Sequence, residues 1–243
     1  MRRKLLPYCE ERQSKTDMIV LHAVAYDVTA AIKSFCDNKV SSHYIVAEDG
    51  EIWQLVGEKK RARHAGVSYW REIEDINSHS IGIEFCSKSL GQKKFTSAQI
   101  KSGIGLIKKL VKKYKIRPEN IVGHSDIAPR RKADPGKAFF WKELAKEGVG
   151  FWYNLSDAKK INDFSVEELL EIIGYDTKDI CASAYAFCRR FLPDKVTEVK
   201  EVTELINNVG RANDELLADE KFLQVLKAVA YKYCSESKTP CKI

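Results

Sequence analysis

The amino-acid sequence predicts an α/β fold with a largely buried β-sheet, followed by a region that is entirely helical. The first prediction rests on short apolar runs of strand length that alternate with an amphipathic helix over roughly the first 150 residues. The second rests on a change of pattern after Ser165, where only helical spacing of apolar residues remains. With 44% hydrophobic and 31% charged residues, the chain has the composition of a folded protein.

Several segments of the first part have the length and pattern of strands. Residues 18–24 are a compact apolar run, and residues 44–47 and 52–56 flank an Asp-Gly pair that predicts a hairpin. Residues 80–85 alternate, which places their isoleucines and phenylalanine on one face and Glu84 on the other. These segments supply the strands of the predicted sheet.

One helix of the first part has clear end signals. Thr96 and Gln99 form a capping box, and the apolar residues that follow step by three and four positions. This pattern predicts an amphipathic helix that ends before Pro118. Residues 121–123 then predict a short buried strand that leads into a long polar loop.

The second part begins with another capping box, Ser165 with Glu168, and continues with apolar stripes at helical spacing. These stripes predict helices that pack on a core and show no site of their own. Residues 148–163 are the candidate linker. We therefore expect two domains, residues 1–150 and residues 151–243, and we expect a chain that ends at this boundary to fold.

Charge and cysteine content limit the function classes. The net charge of +7 suits a polyanionic partner, but the basic residues are not interleaved with aromatic residues in one stripe, so nucleic-acid binding is not predicted. The seven cysteines are odd in number and include no C-x-x-C pair, which favours reduced thiols over a disulfide framework or a zinc ribbon. No window is apolar enough to predict a membrane-spanning helix.

The amino terminus carries a basic cluster that is followed by only two leucines. A secretory signal needs an apolar core of about 7–15 residues after its basic start. We therefore expect either a cytoplasmic protein or an exported protein whose leader is absent from this sequence.

Three polar residues follow or end apolar strands and form the candidate site. His22 belongs to the first strand, His124 follows residues 121–123, and Asp134 lies in the loop after that strand. Two imidazoles and a carboxylate can bind zinc with a fourth position left for water, as in catalytic zinc sites. Each histidine taken singly is more often a packed or surface residue, and spacing alone does not join His22 to His124.

Four blocks of residues resemble the signature of the type 2 N-acetylmuramoyl-L-alanine amidases, the AmpD-like family, in the family's order across residues 18–141. They are Ser41-Ser42-His43-Tyr44, Arg63-His64-Ala65-Gly66-Val67-Ser68, Ser80-Ile81-Gly82-Ile83-Glu84, and Val122-Gly123-His124-Ser125-Asp126-Ile127-Ala128-Pro129-x-Arg131-Lys132-x-Asp134-Pro135-Gly136. The resemblance implies a central mixed β-sheet flanked by helices. It also implies zinc-dependent hydrolysis of the amide bond between N-acetylmuramic acid, or its anhydro form, and L-alanine in peptidoglycan and muropeptides.

The resemblance also implies the metal ligands. One zinc ion per chain is expected at His22, His124 and Asp134. A recognition protein of the same fold that binds peptidoglycan without cutting it is the alternative. Non-cutting relatives usually lack one ligand, and all three ligand types are present here, which favours the enzyme.

Catalytic roles follow from the same resemblance. Glu84 matches the acidic residue that positions and deprotonates the attacking water, and Lys132 matches the residue that stabilises the oxyanion. Tyr44 matches a tyrosine of one branch of the family. Without the resemblance, a structural role is as well supported as a catalytic one. Glu84 could be a carboxylate in a surface salt bridge, and Lys132 could be a solvated loop lysine.

The stretch between the hairpin and the strand of Glu84 is expected to contact the peptide stem and the sugar. The candidate substrate-binding residues are His64, Trp70, Arg71 and Asn77. Arg63 stands where the family usually has tryptophan, so the wall of the groove is expected to differ in detail.

In its length the chain resembles the members of the AmiD-type envelope branch, which carry a helical peptidoglycan-binding module. Gly174-Tyr175-Asp176 and the residues up to Pro193 are similar to that module. We therefore expect a protein of the periplasm or cell envelope of a Gram-negative bacterium, with the cytoplasm as the alternative. The helices after Pro193 are expected to serve docking or formation of a homodimer.

Overall fold

The computed structural model describes residues 1–197, 199 and 201–236. The strands are β1 (Arg2–Arg3), β2 (Cys9–Glu11), β3 (Met18–Val24), β4 (Tyr44–Val46), β5 (Ile52–Gln54), β6 (Lys60–Ala62), β7 (Ser80–Cys86) and β8 (Ile121–Gly123). The α-helices are α1 (Val28–Asp37), α2 (Ile76–His79), α3 (Ser97–Tyr114), α4 (His124–Ile127), α5 (Trp141–Lys146), α6 (Val166–Ile173), α7 (Ile180–Phe191), α8 (Val202–Asn207), α9 (Asp214–Leu217) and α10 (Glu220–Glu236).

A six-stranded mixed sheet with the order β1-β5-β4-β7-β3-β8 forms the centre of the molecule. Only β4 and β5 pair antiparallel in this sheet, as the predicted hairpin, and the other neighbours are parallel. Strands β2 and β6 form a separate antiparallel pair. The predicted fold class, a mixed sheet flanked by helices with a helical C-terminal region, is confirmed.

Helix α3 covers one face of the sheet. The predicted capping box is present: the Thr96 hydroxyl accepts the N–H of Gln99, and the Gln99 side chain accepts the N–H of Thr96. The helix ends at Tyr114, and the left-handed backbone of the next residue, Lys115, closes the last turn. Its buried Leu106 and Leu110 pack in a core that includes the odd-numbered residues of β7.

The other face of the sheet is covered by two sets of helices. Helix α1 packs against the β4 side of this face. Helices α6, α7 and α10 pack against β3 and β8, where Met18, Val20 and Val122 share one hydrophobic cluster with Leu170, Phe187 and Phe222. The C-terminal helices thus bury part of the same sheet that carries the candidate site. Whether residues 1–150 fold without them remains a prediction.

A buried ion pair joins the two parts of the chain. Arg190 of α7 donates to Asp126 of α4 over 2.8 Å, and both side chains are almost fully buried. Asp126 also accepts from the Tyr175 hydroxyl at 2.7 Å and from the backbone N–H of Gly123 at 2.8 Å. The guanidinium of Arg190 lies 4.1 Å from the ring centroid of Trp141. Asp126 is therefore fully satisfied only when the C-terminal helices are in place.

Helix forms over part of the apolar stretch that follows Pro193. Val199, Val202, Leu205, Ile206 and Val209 predict a helix, and among the described residues of this stretch the structure forms α8, Val202–Asn207. The apolar face of α10 lies inside the chain's own core, including Phe222 and Val229. The predicted homodimer through these helices therefore remains a prediction. Among the described residues no helix combines the length and apolarity needed to cross a membrane.

The expectation of reduced thiols holds for most of the cysteines that the structure describes. Cys234 is instead disulfide-bonded, which corrects the expectation at that residue. Cys241 lies outside the described residues. The free thiols are Cys9, Cys36, Cys86, Cys181 and Cys188.

Candidate metal centre and active site

The register of three parallel strands brings the predicted catalytic residues together. Strand β3 lies between β7 and β8, and His22 pairs directly with Glu84 across β3 and β7. Leu21 pairs with Gly123, so His124 follows at the adjacent position, as the first residue of α4. All three side chains therefore emerge at the carboxyl end of the sheet, where parallel α/β sheets place their sites.

The loop after α4 returns Asp134 to the same place. The backbone N–H of Ser125 donates to the carbonyl of Asp134 over 2.8 Å, which fixes the loop against α4. The Oδ2 atom of Asp134 then lies 3.3 Å from Nδ1 of His22 and 3.1 Å from Nδ1 of His124. The three residues are buried, and their ligand atoms lie within 4.8 Å of one another.

The hydrogen bonds behind His22 determine which of its nitrogens carries the proton. The Ser80 hydroxyl donates its hydrogen to the carbonyl of Ile76 at 2.6 Å, so it accepts from Nε2–H of His64 at 3.2 Å. Nδ1 of His64 is then an acceptor and lies 3.0 Å from Nε2 of His22. His22 therefore donates through Nε2–H and keeps the lone pair of Nδ1 free.

The second histidine is held in the same tautomer. Nε2 of His124 lies 3.2 Å from the carbonyl of Ala65, which can only accept, so the proton is on Nε2. The free Nδ1 atoms of His22 and His124 face each other at 3.0 Å, beside the carboxylate of Asp134. Three acceptors that point at one another without a donor would be stabilised by a cation between them. The donor set fits a divalent metal ion that accepts nitrogen and oxygen ligands, as zinc does.

Two residues that sequence analysis did not assign to the site hold His64 in place. A Cβ atom at Gly82 would lie 2.6 Å from the ring of His64, so only glycine leaves room for the imidazole against β7. Ser80 provides the hydrogen bond described above. Both lie in the motif block that ends at Glu84, so their place in that block was the signal that could have found them.

The candidate substrate residue Asn77 also has a supporting role. It is buried, and its side-chain oxygen accepts the backbone N–H groups of His64 and Ala65 at 3.0 and 2.9 Å. These two residues in turn hold His22 and His124. Asn77 and His64 both line the cleft that contains the three candidate metal ligands, so contact with a substrate remains a proposal for both.

Burial governs the protonation of the site. Burial and the nearby imidazole of His124 lower the pKa of His22 to about 4, and burial lowers the pKa of His64 well below its usual value. Both imidazoles are therefore neutral at pH 7, and a neutral imidazole is what metal binding by His22 would require.

A cleft of about 450 Å³ opens above the three acceptors. Glu84 and Lys132 line it, as do Arg63 and Arg131. Burial, reinforced by the charge of Asp134 and opposed by that of Lys132, raises the pKa of Glu84 well above its usual value. A carboxylate with raised proton affinity and an ammonium group thus line the same cleft as the candidate metal ligands.

The prediction that Tyr44 belongs to the catalytic group is wrong. Tyr44 pairs with Ile83 across β4 and β7, so its side chain lies on the α3 face of the sheet, opposite Glu84. It donates a hydrogen bond to Glu58, and burial together with this bond raises the pKa of its hydroxyl. Tyr44 does not line the cleft.

The predicted substrate contacts at Trp70 and Arg71 are also wrong. Trp70 is 1% exposed and packs edge-on against Tyr175 and Tyr233, in the core that the C-terminal helices share with the sheet. The guanidinium of Arg71 lies over the ring of Tyr233, and its backbone N–H donates to Gly174. Neither residue lines the cleft, because α6 and α10 cover this loop.

Comparison with known proteins agrees with this geometry. A sequence model of the N-acetylmuramoyl-L-alanine amidase family matches residues 12–137. The N-acetylmuramoyl-L-alanine amidase AmiD of Escherichia coli is 40% identical over 188 residues, which cover 66% of this chain and 67% of the relative. The 1,6-anhydro-N-acetylmuramyl-L-alanine amidase AmpD of Enterobacter cloacae is 42% identical over 105 residues, which cover 43% of this chain and 55% of that enzyme.

Two solved structures match nearly the whole chain. AmiD from E. coli, in complex with the substrate anhydro-N-acetylmuramic acid-L-Ala-D-γ-Glu-L-Lys, superposes with a TM-score of 0.73 at 31% identity, over 92% of this chain and 93% of that chain. AmpDh3 from Pseudomonas aeruginosa, in complex with an anhydromuramic pentapeptide, gives a TM-score of 0.75 at 27% identity, over 90% and 93%. The family match, the identity and the shared fold lead to one conclusion: the chain belongs to the N-acetylmuramoyl-L-alanine amidase family.

Proposed function

We propose that this protein hydrolyses the amide bond between N-acetylmuramic acid, or its anhydro form, and L-alanine in muropeptides and peptidoglycan, for turnover of the cell wall. The observation that carries the proposal is the convergence of three buried acceptors, from His22, His124 and Asp134, at the floor of a cleft that also holds Glu84 and Lys132. The relatives named above are amidases of this bond by name.

The proposed cofactor is one zinc ion per chain, held by Nδ1 of His22, Nδ1 of His124 and the carboxylate of Asp134. Bound there, zinc would supply Lewis-acid chemistry and would lower the pKa of a water molecule to about 7. The protein prepares the ligands through His64 and Ala65, which hold the two imidazoles in the tautomer that presents Nδ1.

The catalytic roles are proposed for two residues of the cleft. Glu84 is the cross-strand neighbour of His22, which supports a role in which its carboxylate would accept a proton from the attacking water and pass it to the leaving amine. Lys132 lies two residues before Asp134 and lines the same cleft, where its ammonium group can stabilise the negative charge that develops on the carbonyl oxygen.

The proposed location is the periplasm or cell envelope of a Gram-negative bacterium, with the cytoplasm as the alternative. The helical C-terminal region, which AmiD-type envelope amidases also have, supports this proposal. The C-terminal region would add affinity for peptidoglycan to a catalytic part that acts on muropeptides.

The function is tested by mass analysis of digests. Purified protein incubated with a soluble anhydromuramyl peptide, or with sacculi, is expected to release the free stem peptide with L-alanine at its amino terminus. Elemental analysis should find one zinc per chain, and a chelator should abolish cleavage until zinc is restored. Binding of muropeptides without cleavage would identify a recognition protein of the same fold. Cleavage by a metal-free, chelator-treated protein would remove zinc from the proposal.

The hydrogen bond from His22 to His64 gives a test of the ligand arrangement. Replacing His64 by phenylalanine keeps an aromatic ring against Gly82 but removes the acceptor for Nε2–H of His22. Loss of such a supporting bond typically lowers metal affinity about 10–100-fold. Competition for zinc between each variant and a chromogenic chelator would measure the zinc affinity. His79→Phe is the matched control, because His79 pairs with Asp17 and does not line the cleft. Equal zinc affinity in both variants would show that His64 does not orient the ligand.

A further inference from the structure

The cleft has a wall that the amidase motifs do not include. Leu205, Ile206 and Val209 line it together with the metal ligands, although they lie far from those ligands in the sequence. They belong to a segment that we call the arch, residues 201–210, which contains α8. The arch lies beyond residue 137, where the match to the family ends.

The arch is anchored to one helix on both sides. Before it, the backbone N–H of Thr197 donates to the Tyr185 hydroxyl at 3.0 Å. At its end, Arg189 donates to the carbonyl of Val209, and Ala212 N–H donates to the carbonyl of Cys181 at 3.0 Å. Tyr185, Arg189 and Cys181 all belong to α7, so Thr197 before the arch, Val209 at its end and Ala212 after it are all bonded to the helix that carries Arg190.

A glycine permits the close approach at the second anchor. Gly210 has a φ of +75°. A Cβ atom there would lie 2.3 Å from the ring of Tyr185, so a larger residue would push the arch away from α7. The close packing of Gly210 against Tyr185 therefore helps to hold the arch beside the cleft.

The side chains of the arch that line the cleft are apolar. Leu205 is buried, yet it joins none of the three hydrophobic clusters found among the described residues. Ile206 is 60% exposed, and it lines the cleft with two other exposed apolar residues, Tyr26 and Val40. Exposed apolar side chains that collect around one cleft mark a ligand-binding surface.

We propose that the arch is a substrate-binding wall of the amidase, in which Ile206 and Val209 contact the methyl groups that flank the scissile amide. This inference rests on the proposed function. In a muramyl-L-alanine unit those groups are the lactyl methyl and the alanine methyl, which are small, apolar and close to the bond that is cut. The cationic Arg131 of the same cleft suits the carboxylates of the peptide stem instead. The arch thus acts on substrate affinity and choice rather than on the chemical step.

The test compares Ile206→Ala with the parent enzyme on a soluble anhydromuramyl tripeptide. Burying a side chain of this size against a ligand is worth about one factor of ten in affinity. KM should therefore rise about tenfold while kcat changes little, because the contact is made equally in the ground state and the transition state. Ile206→Leu should restore KM. Leu155→Ala is the matched control, since Leu155 is a half-exposed leucine that does not line the cleft.

Calorimetric titration of the intact enzyme with each of the two reaction products shows which methyl group Ile206 contacts. Weaker binding of the anhydromuramyl product by Ile206→Ala points to the lactyl methyl, and weaker binding of the stem peptide points to the alanine methyl. The thermal midpoint should not change, because Ile206 is exposed. An unchanged KM and unchanged product affinities, in a parent enzyme that does cleave the substrate, would overturn the arch proposal alone. A parent that cleaves no muropeptide would overturn the proposed function itself.

Discussion

Replacing Glu84 by glutamine is expected to lower turnover by about 10²–10⁴-fold, the usual contribution of a general base, while zinc content and substrate affinity stay near those of the parent. Glutamine keeps the size and the hydrogen-bonding end of the side chain and cannot accept a proton. Glu84 is the direct cross-strand neighbour of His22, yet it is not one of the three residues whose ligand atoms converge. The substitution should therefore affect the proton transfer and leave the metal in place.

The measurement is a pair of readouts, kcat on a soluble muropeptide and zinc per chain by elemental analysis. His124→Ala serves as the contrasting variant, because two protein ligands are too few to hold the metal and both readouts should fall together. Tyr44→Phe serves as the matched control, since Tyr44 lies on the opposite face of the sheet and bonds Glu58. Its turnover should equal that of the parent.

Each contrary result has a definite meaning. Loss of zinc in Glu84→Gln would make Glu84 a ligand and would require a different coordination set. Near-normal turnover in Glu84→Gln would remove it from the mechanism and leave Lys132 as the remaining catalytic candidate of the cleft. A large fall in Tyr44→Phe would contradict the assignment of Tyr44 to the structural face.

Local patterns predicted the parts of the fold whose residues carry their own signals. The apolar run of β3, the alternation of β7, the Asp-Gly hairpin and the capping box of α3 all lie where expected. Strands β1, β2 and β6 have no such pattern, because they are only two or three residues long and largely polar. Their positions depend on pairing partners that sequence periodicity does not show.

The site depends on register, which local patterns do not contain. His22 and His124 meet because Leu21 pairs with Gly123, and nothing in the spacing of the two histidines predicts that pairing. The resemblance to the amidase family supplied the expectation that His22 and His124 bind the same metal ion. The same limit explains the error at Tyr44, since only the pairing of Tyr44 with Ile83 shows that it lies on the face away from Glu84.

Contacts with the C-terminal helices explain the other errors. The sequence predicts that Trp70 contacts the substrate, but Tyr175 and Tyr233 from distant parts of the chain pack against it. Asp126 lies within the recognised motif, and its partner Arg190 is 64 residues away. Composition and periodicity do not predict how segments that are distant in the sequence pack against one another.

Removing residues 151–243 tests whether the helical region is a separate domain, as the sequence predicts. The structure changes the expected result: the shortened chain should fail to fold. Truncation would uncover Val20, Val122 and Trp70, which now lie in a core shared with α6, α7 and α10. A buried side chain of this kind contributes about 1.5–3 kcal/mol. Since whole proteins are stable by only about 5–15 kcal/mol, the loss of several such contacts is enough to unfold the sheet.

A single substitution tests the same junction without removing any element. Arg190→Met keeps an unbranched apolar stem beside Trp141 and leaves the Asp126 carboxylate buried without its cation. Breaking one partner of a buried ion pair typically costs about 3–5 kcal/mol in the free energy of unfolding. Adding Asp126→Asn should recover part of that loss, because no uncompensated charge then remains in the core.

The matched control is the exposed ion pair between the same two parts of the chain. Arg130 donates to Asp176 over 2.9 Å with its side chain about half exposed, so Arg130→Met should cost about 0–1 kcal/mol. Urea unfolding, followed by circular dichroism, would measure all three variants and the truncated chain. A truncated chain that unfolds cooperatively and still binds zinc would show that the sheet folds alone. The helical region would then be the separate domain that the sequence predicts, and the Asp126–Arg190 pair would serve to dock it.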